Sequence, residues 1–167
     1  MAKHYRVSAQ SNQQTVYQLL DRIDAIPQSL ALALAQASIE SAWGTSRFAT
    51  QGNNYFGQWC FTKGCGLIPL RRTKGMTHEV RLFDTPSDSI RGYIANLNSH
   101  PAYKELRAIR RENRDWDRYT SGCELTTALR HYSQQRLAYV ETLKAIIRVN
   151  QLEPAHHIKS CKRLQRT

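Results

Sequence analysis

The chain has 167 residues, with 24 Lys and Arg against 13 Asp and Glu, and a formal charge of +11. That length supports one compact domain with a real core and leaves little room for a second. With 41% hydrophobic and 22% charged residues it has the composition of an ordinary globular protein, and its longest purely apolar run, Leu30 to Ala35, is far short of the ~20 residues that cross a bilayer. The N-terminal stretch MAKHYRVSAQSNQQ has no apolar segment of the signal-peptide kind. The expectation is a cytoplasmic protein, or one whose export segment lies upstream. A positive surplus of this size seeks polyanions such as nucleic acid, acidic lipid headgroups or an anionic cell wall. Charge does not choose among them, and a merely solvated basic surface explains it too.

In chain order, residues 1–14 read as an N-terminal extension. Thr15 to Ile26 carries Val16, Leu19, Leu20 and Ile23 on one helical stripe. Pro27 suits the first turn of the next helix, which runs through LALALAQASIESAW and stops at Gly44. Thr45 to Gly66, rich in Gly, Asn and aromatics, reads as an ordered ligand-facing loop. Leu67 to Asp84 reads as a hairpin turning at Lys74-Gly75. Thr85-Pro86 opens a helix with Asp88 in a capping box and Ile90, Tyr93, Ile94 and Leu97 as its buried stripe, ending before Pro101. Three more helices follow over Ala102–Arg111, Leu125–Tyr132 and Leu137–Val149, the last burying Val140, Leu143 and Ile147. Arg107, Arg110, Arg111 and Arg114 make a basic stripe, read as a solvated face or, alternatively, as a contact for wall or nucleic acid. The expected fold is α+β, mainly α, with a body over 15–153 and a basic, disordered tail over 154–167.

Glu40 is the carboxylate this pattern singles out. Its helix neighbours are nearly all apolar or small, so it should lose water, and desolvation disfavours the charged form; its pKa is expected to rise. A carboxyl that keeps its proton near neutral pH suits acid-assisted bond cleavage. A buried Glu paired with Arg47 or with a backbone group explains the same pattern structurally. The aromatic, Asn-rich loop that follows favours chemistry, because sugar rings lie on aromatic faces while amides take their polar edges. A carboxyl acid beside such a surface suggests cleavage of a glycosidic bond.

That reaction usually engages a second carboxylate. Asp88 is accounted for as a cap, and Glu105 and Glu112 lie among arginines. Glu79, on the hairpin, alternates with Val80 and Leu82, so it should project outward, over a cleft or simply into solvent. Cys60 and Cys65 flank FTKG; the spacing fits a short disulfide loop and equally fits free thiols. Zinc wants four clustered ligands, and Cys123 and Cys161 stand apart from each other. No HExxH, phosphate-binding glycine loop or serine nucleophile elbow occurs, and no metal or cofactor is expected.

The segments AQASIESAWGTSRFA, NNYFGQW and EVRLFDTPSDSIRGYIANLNSHPAY, in that order, resemble the glucosaminidase domain of glycoside hydrolase family 73, and ALRHYSQQRLAYVETLKAIIRVNQL resembles its closing pair of helices. The version carrying WCFTKGCG and a short hairpin is similar to the Bax-type bacterial branch. The resemblance spans roughly Thr15 to Leu152. It implies a lysozyme-like domain that cleaves the β-1,4 bond after N-acetylglucosamine in peptidoglycan. Glu40 matches the family's catalytic acid, and Tyr132, in HYS, its cleft tyrosine. Glu79 falls in the hairpin that bears the second carboxylate in relatives; alternatively the sugar's own acetamido group assists. Asn54, Phe56 and Gly57 match the loop under the sugar cleft. Trp43, Asn54, Tyr55, Phe56 and Trp59 form the expected substrate-binding set. The same resemblance implies a Cys60–Cys65 disulfide, a periplasmic or cell-envelope location, glycan strands as partner and no specific nucleic acid. The rivals are a lytic transglycosylase and a noncatalytic basic module that binds wall or nucleic acid.

Overall fold

The computed structural model of the chain describes residues 5–8, 14, 30–129 and 137–161. The helix expected over Thr15–Ile26, and Tyr132, lie outside them. Within them the architecture is mainly helical with one small antiparallel sheet, the α+β lysozyme-like class. The chain divides into two compact units, Gln36–Tyr93 and the flanking Met1–Ala35 with Ile94–Thr167.

Helix α1 (Leu30–Glu40) buries Ala31, Leu32, Ala35 and Gln36, while Leu30 and Leu34, one turn apart on another stripe, are exposed. The helix is therefore covered on one side, not on most sides as its apolar sequence suggests. It also stops earlier than expected. The Trp43 N–H reaches the Ser38 carbonyl at 2.7 Å and the Ala42 N–H reaches that of Ile39 at 3.3 Å. This is a Schellman turn with Ala42, not Gly44, in the left-handed C′ position at φ 51°. A Cβ at such a position costs roughly 1–2 kcal/mol. Ala42→Gly should therefore stabilise the protein by about 1 kcal/mol, raising the thermal midpoint by about 2–4 °C; calorimetry checks this.

The segment expected to be all loop contains helix α2 (Arg47–Gly52). The Ser46 hydroxyl caps it by accepting the Ala49 N–H at 3.2 Å, and Asn53 ends it in the left-handed region. Three strands follow: β1 (Trp59–Cys60), β2 (Gly66–Leu67) and β3 (Glu79–Arg81), in the order β1-β3-β2, all antiparallel to β3. The expected hairpin is the β2–β3 pair, with Gly66 opposite Arg81 and Leu67 opposite Val80. Its connection turns where Met76 N–H bonds the Thr73 carbonyl, across Lys74-Gly75. Strand β1 was hidden in the loop; it sets Trp59 opposite Val80 and Cys60 opposite Glu79. Gly66 cannot be replaced, since a Cβ there would lie 2.1 Å from the Val80 carbonyl oxygen.

Helix α3 (Pro86–Ser99) starts on the expected capping box. The Thr85 Oγ1 accepts the Asp88 N–H, and the Asp88 carboxylate accepts the Thr85 N–H and hydroxyl. Tyr93 and Leu97 are buried as expected, whereas Ile90 is exposed and Ser89 takes the interior place.

In the second unit, a short 3-10 turn (Pro101–Tyr103) leads into helix α4 (Lys104–Asp115). Its basic stripe is not a solvated face. Arg107 and Arg110 are buried, and Arg107 donates to the Leu97 and His100 carbonyls at 2.9 Å each; Arg111 and Arg114 stay exposed. The guanidinium thus serves carbonyls at the end of the preceding helix, a use no charge pattern announces. Helix α5 (Gly122–Leu125) passes into a 3-10 turn (Thr126–Leu129), in place of one helix starting at Leu125. Helix α6 (Leu137–Val149) buries Val140, Leu143 and Ile147 as its periodicity predicts. The tail expected to be disordered from Pro154 is folded as far as Cys161. A 3-10 turn (Ile158–Cys161) carries Cys161, which is fully buried and disulfide-bonded to Cys123.

Candidate active site

The residues expected to carry chemistry, other than Tyr132, fall in the Gln36–Tyr93 unit. Glu40 is the last residue of α1 and is half-buried. Gly57 faces it: φ is +62° there, and a Cβ would stand 3.4 Å from the Glu40 Oε2. The loop therefore approaches the carboxyl with bare backbone in a conformation that favours glycine. Arg47, the alternative partner for Glu40, is directed elsewhere. It donates to the Ile68 carbonyl at 2.6 Å and lies over the Phe48 ring.

The loop is held by Asn54, which is buried. Its Nδ2 donates to the Gln58 and Arg81 carbonyls, each at 2.9 Å, and its Oδ1 accepts the Phe56 and Gln58 N–H groups. One amide side chain thus closes the turn around Gly57 and ties it to β3. Phe56 is also buried and stacks on Tyr93 with ring centroids 4.0 Å apart; the Tyr93 hydroxyl meets Gln36 Oε1 at 2.5 Å. Asn54 and Phe56 are therefore framework, not sugar contacts, because neither offers surface to a ligand. This corrects their place in the expected substrate-binding set.

The other three members of that set do reach the surface. Trp43 is 65% exposed and Trp59 54% exposed, and Tyr55 is half-buried, lying against Gly44. Trp59 stacks on His78 at 3.9 Å.

Glu79 does not project outward. It is buried, and its two oxygens accept the Gly64 N–H at 3.0 Å and the Gly66 N–H at 2.7 Å. The carboxylate closes the loop that the Cys60–Cys65 disulfide spans. The expected alternation fails because β3 is the central strand of a sheet this small, so that both Glu79 and Val80 are buried. Those two N–H groups, Gly64 foremost, hold the Glu79 pKa below the ordinary carboxylate range against the opposing effect of burial. A carboxylate with a depressed folded pKa contributes stability above its unfolded pKa and loses it as pH falls through the folded value. Glu79→Gln should accordingly lower the thermal midpoint at neutral pH. The gap to wild type should close as the buffer is taken below the unfolded carboxylate value of about 4.3. Melting curves over pH 2–7 measure it.

Sequence reading missed the polar frame behind this loop. Gln58 Nε2 donates to the Ser89 carbonyl at 2.9 Å, the Ser89 hydroxyl donates to Gln58 Oε1 at 3.1 Å, and the Tyr55 N–H reaches the same hydroxyl. A related signal was Gln36, one turn before Glu40 in a largely apolar helix, whose Oε1 accepts the Tyr93 hydroxyl. Polar residues at such places are retained where they have partners.

The group that α1 and the Gly57 loop bring forward is a carboxyl with exposed aromatic rings in the same unit, a set suited to acid-assisted cleavage of a sugar chain. Across residues 14–152 the chain matches the glucosaminidase family, described as mannosyl-glycoprotein endo-beta-N-acetylglucosaminidase, and it belongs to that family of glycoside hydrolases. Among curated relatives it is similar to Protein bax of Escherichia coli (strain K12), at 34% identity over 160 residues, covering 95% of this chain and 56% of that protein. The chain thus spans little more than half the length of this relative. No solved structure matches it significantly.

Proposed function

We propose that the chain is an endo-β-N-acetylglucosaminidase of peptidoglycan, with Glu40 as its general acid. The observation that carries this reading is the Glu40 carboxyl at the end of α1, against the backbone of Gly57, in a chain of the glucosaminidase family. Glu40 would protonate the leaving glycosidic oxygen as the C1–O bond breaks. Both oxygens of Glu79 are engaged by backbone N–H groups, which favours assistance by the substrate's acetamido oxygen over assistance by a second carboxylate. That oxygen would close on C1, and water would then open the ring and leave a reducing N-acetylglucosamine end. Tyr132 matches the family tyrosine beside the scissile sugar, and Trp43, Tyr55 and Trp59 are the rings on which sugars would stack. Two disulfides, Cys60–Cys65 and Cys123–Cys161, support an oxidising compartment such as the periplasm or cell envelope. A charge of +11 suits an anionic wall.

The engagement of Glu79 also favours a second reading, a lytic transglycosylase, which works with one acid. There the muramyl 6-hydroxyl displaces the leaving sugar and gives a 1,6-anhydro end. Mass spectrometry of digested wall decides between them. Reducing N-acetylglucosamine ends are expected, and anhydro-muramyl ends would overturn the assignment. Wall binding without any product would point to the noncatalytic basic module.

A further inference from the structure

The unit formed by Met1–Ala35 and Ile94–Thr167 contains an open pocket of about 440 Å³, within the ~300–1,000 Å³ typical of small-molecule sites. Cys123, whose disulfide to Cys161 ties α5 to the last 3-10 turn, lines it. One wall is a stack of Tyr119 on His157 at 3.9 Å, with the His156 ring tilted against that of His157 at 4.0 Å.

Lys144, on α6, lines this pocket and is only 4% exposed. Among the described residues it has neither a hydrogen bond nor an ion pair. Its ammonium is not among the side-chain atoms that are buried without a partner, so the stem is buried while the charge opens onto the pocket. The acids nearby are not paired with it. Glu153 gives its two oxygens to the Ser121 hydroxyl, at 2.8 Å, and to the Gly122 N–H. Glu124 lines the same pocket and accepts the Asn113 amide through Oε2 at 2.7 Å. Lys144 and Glu124 therefore present opposite charges to one pocket without forming a salt bridge to each other. Tyr119 adds a hydroxyl donor; burial, and then Glu153, hold its pKa above the ordinary value, so it keeps its proton.

A simple anion would satisfy Lys144 and be repelled by Glu124, and a simple cation would meet the reverse. We propose that this pocket binds a small zwitterion, a free amino acid or a short unblocked peptide, with the carboxylate on Lys144 and the ammonium on Glu124. The pocket shares no residue with the Glu40 loop, and the inference does not rest on the glycosidase reading.

The test uses the full chain and the dipeptide Ala-Ala, titrated by calorimetry and by the NMR shifts of the Tyr119 and His157 rings. Binding at about 1 mM or tighter is expected. N-acetyl-Ala-Ala and Ala-Ala-amide should each bind at least about tenfold more weakly, as the loss of one charge-assisted hydrogen bond predicts. Lys144→Met, which keeps the volume of the buried stem, should fold as wild type does. It should abolish the preference for a free carboxylate. Glu124→Gln, which still accepts from Asn113, should abolish the preference for a free amine. Equal binding of blocked and unblocked peptides, acetate binding as tightly as Ala-Ala, or no ring shifts with Ala-Ala at any concentration would each overturn the proposal.

Discussion

Replacing Glu40 by glutamine should leave the protein folded and lower the proposed wall-clearing activity by about three orders of magnitude, within the 10²–10⁴ that a general acid contributes. Glutamine keeps the shape of the side chain and its hydrogen-bonding oxygen, but it has no proton to give the leaving sugar. Glu40 is half-buried at the end of α1, and Gly57 leaves backbone alone against it, so the isosteric change introduces no clash. A thermal midpoint within a few degrees of wild type would establish the folded state, and turbidity of purified wall would report the activity. Binding to the wall should survive, since the basic charge and the exposed Trp43 and Trp59 are untouched. The alkaline limb of the rate–pH profile, which a general acid produces, should be absent from the residual activity. A folded Glu40→Gln protein that clears wall at the wild-type rate would remove Glu40 from the mechanism.

Breaking the Cys123–Cys161 disulfide should cost up to about 4 kcal/mol, against about 2 kcal/mol for Cys60–Cys65, because loop-closure entropy grows with loop length. The two bridges span sequence separations of 38 and 5 residues. The long bridge also anchors a crowded junction. Both of its cysteines are fully buried, Arg148 donates to the Cys161 carbonyl at 3.0 Å, and Glu153 holds Ser121 and Gly122 beside Cys123. The double variant Cys123→Ala, Cys161→Ala should lower the thermal midpoint by about 8–16 °C, using 2–4 °C per kcal/mol for a chain of this size. Cys60→Ala with Cys65→Ala should lower it by roughly half as much. Melting of each variant with and without a dithiol reductant checks the assignment. Reductant should lower the midpoint of the long-bridge variant only by the smaller Cys60–Cys65 share, and that of wild type by both shares.

What could be read in advance were features whose cause is local. The capping box at Thr85–Asp88 needs only a few adjacent residues, and the stripe Val140, Leu143, Ile147 needs only helical periodicity. The turn at Lys74-Gly75 is likewise its own signal. Misreadings occurred where distant chain decides the environment. Asn54 and Phe56 look like ligand contacts in NNYFGQW. They are instead framework, because Arg81 and Tyr93, from β3 and α3, complete their surroundings. Arg107 and Arg110 look like surface charge, yet both are buried, and Arg107 serves the carbonyls at the end of α3. Gly44 looked like the helix stop, but the hydrogen bonds close on Ala42.

The sequence by itself determined the mainly helical class and the family, and it singled out the Glu40 carboxylate, because periodicity, motif order and one carboxylate in an apolar helix are properties of neighbours along the chain. Only the tertiary structure decided that Glu79 faces inward to Gly64 and Gly66, that Cys161 returns to Cys123, and that Lys144 and Glu124 line one pocket. Each depends on which backbone N–H, thiol or carboxylate arrives from a remote segment, and desolvation leaves no mark on the residue that undergoes it until the fold has closed around it.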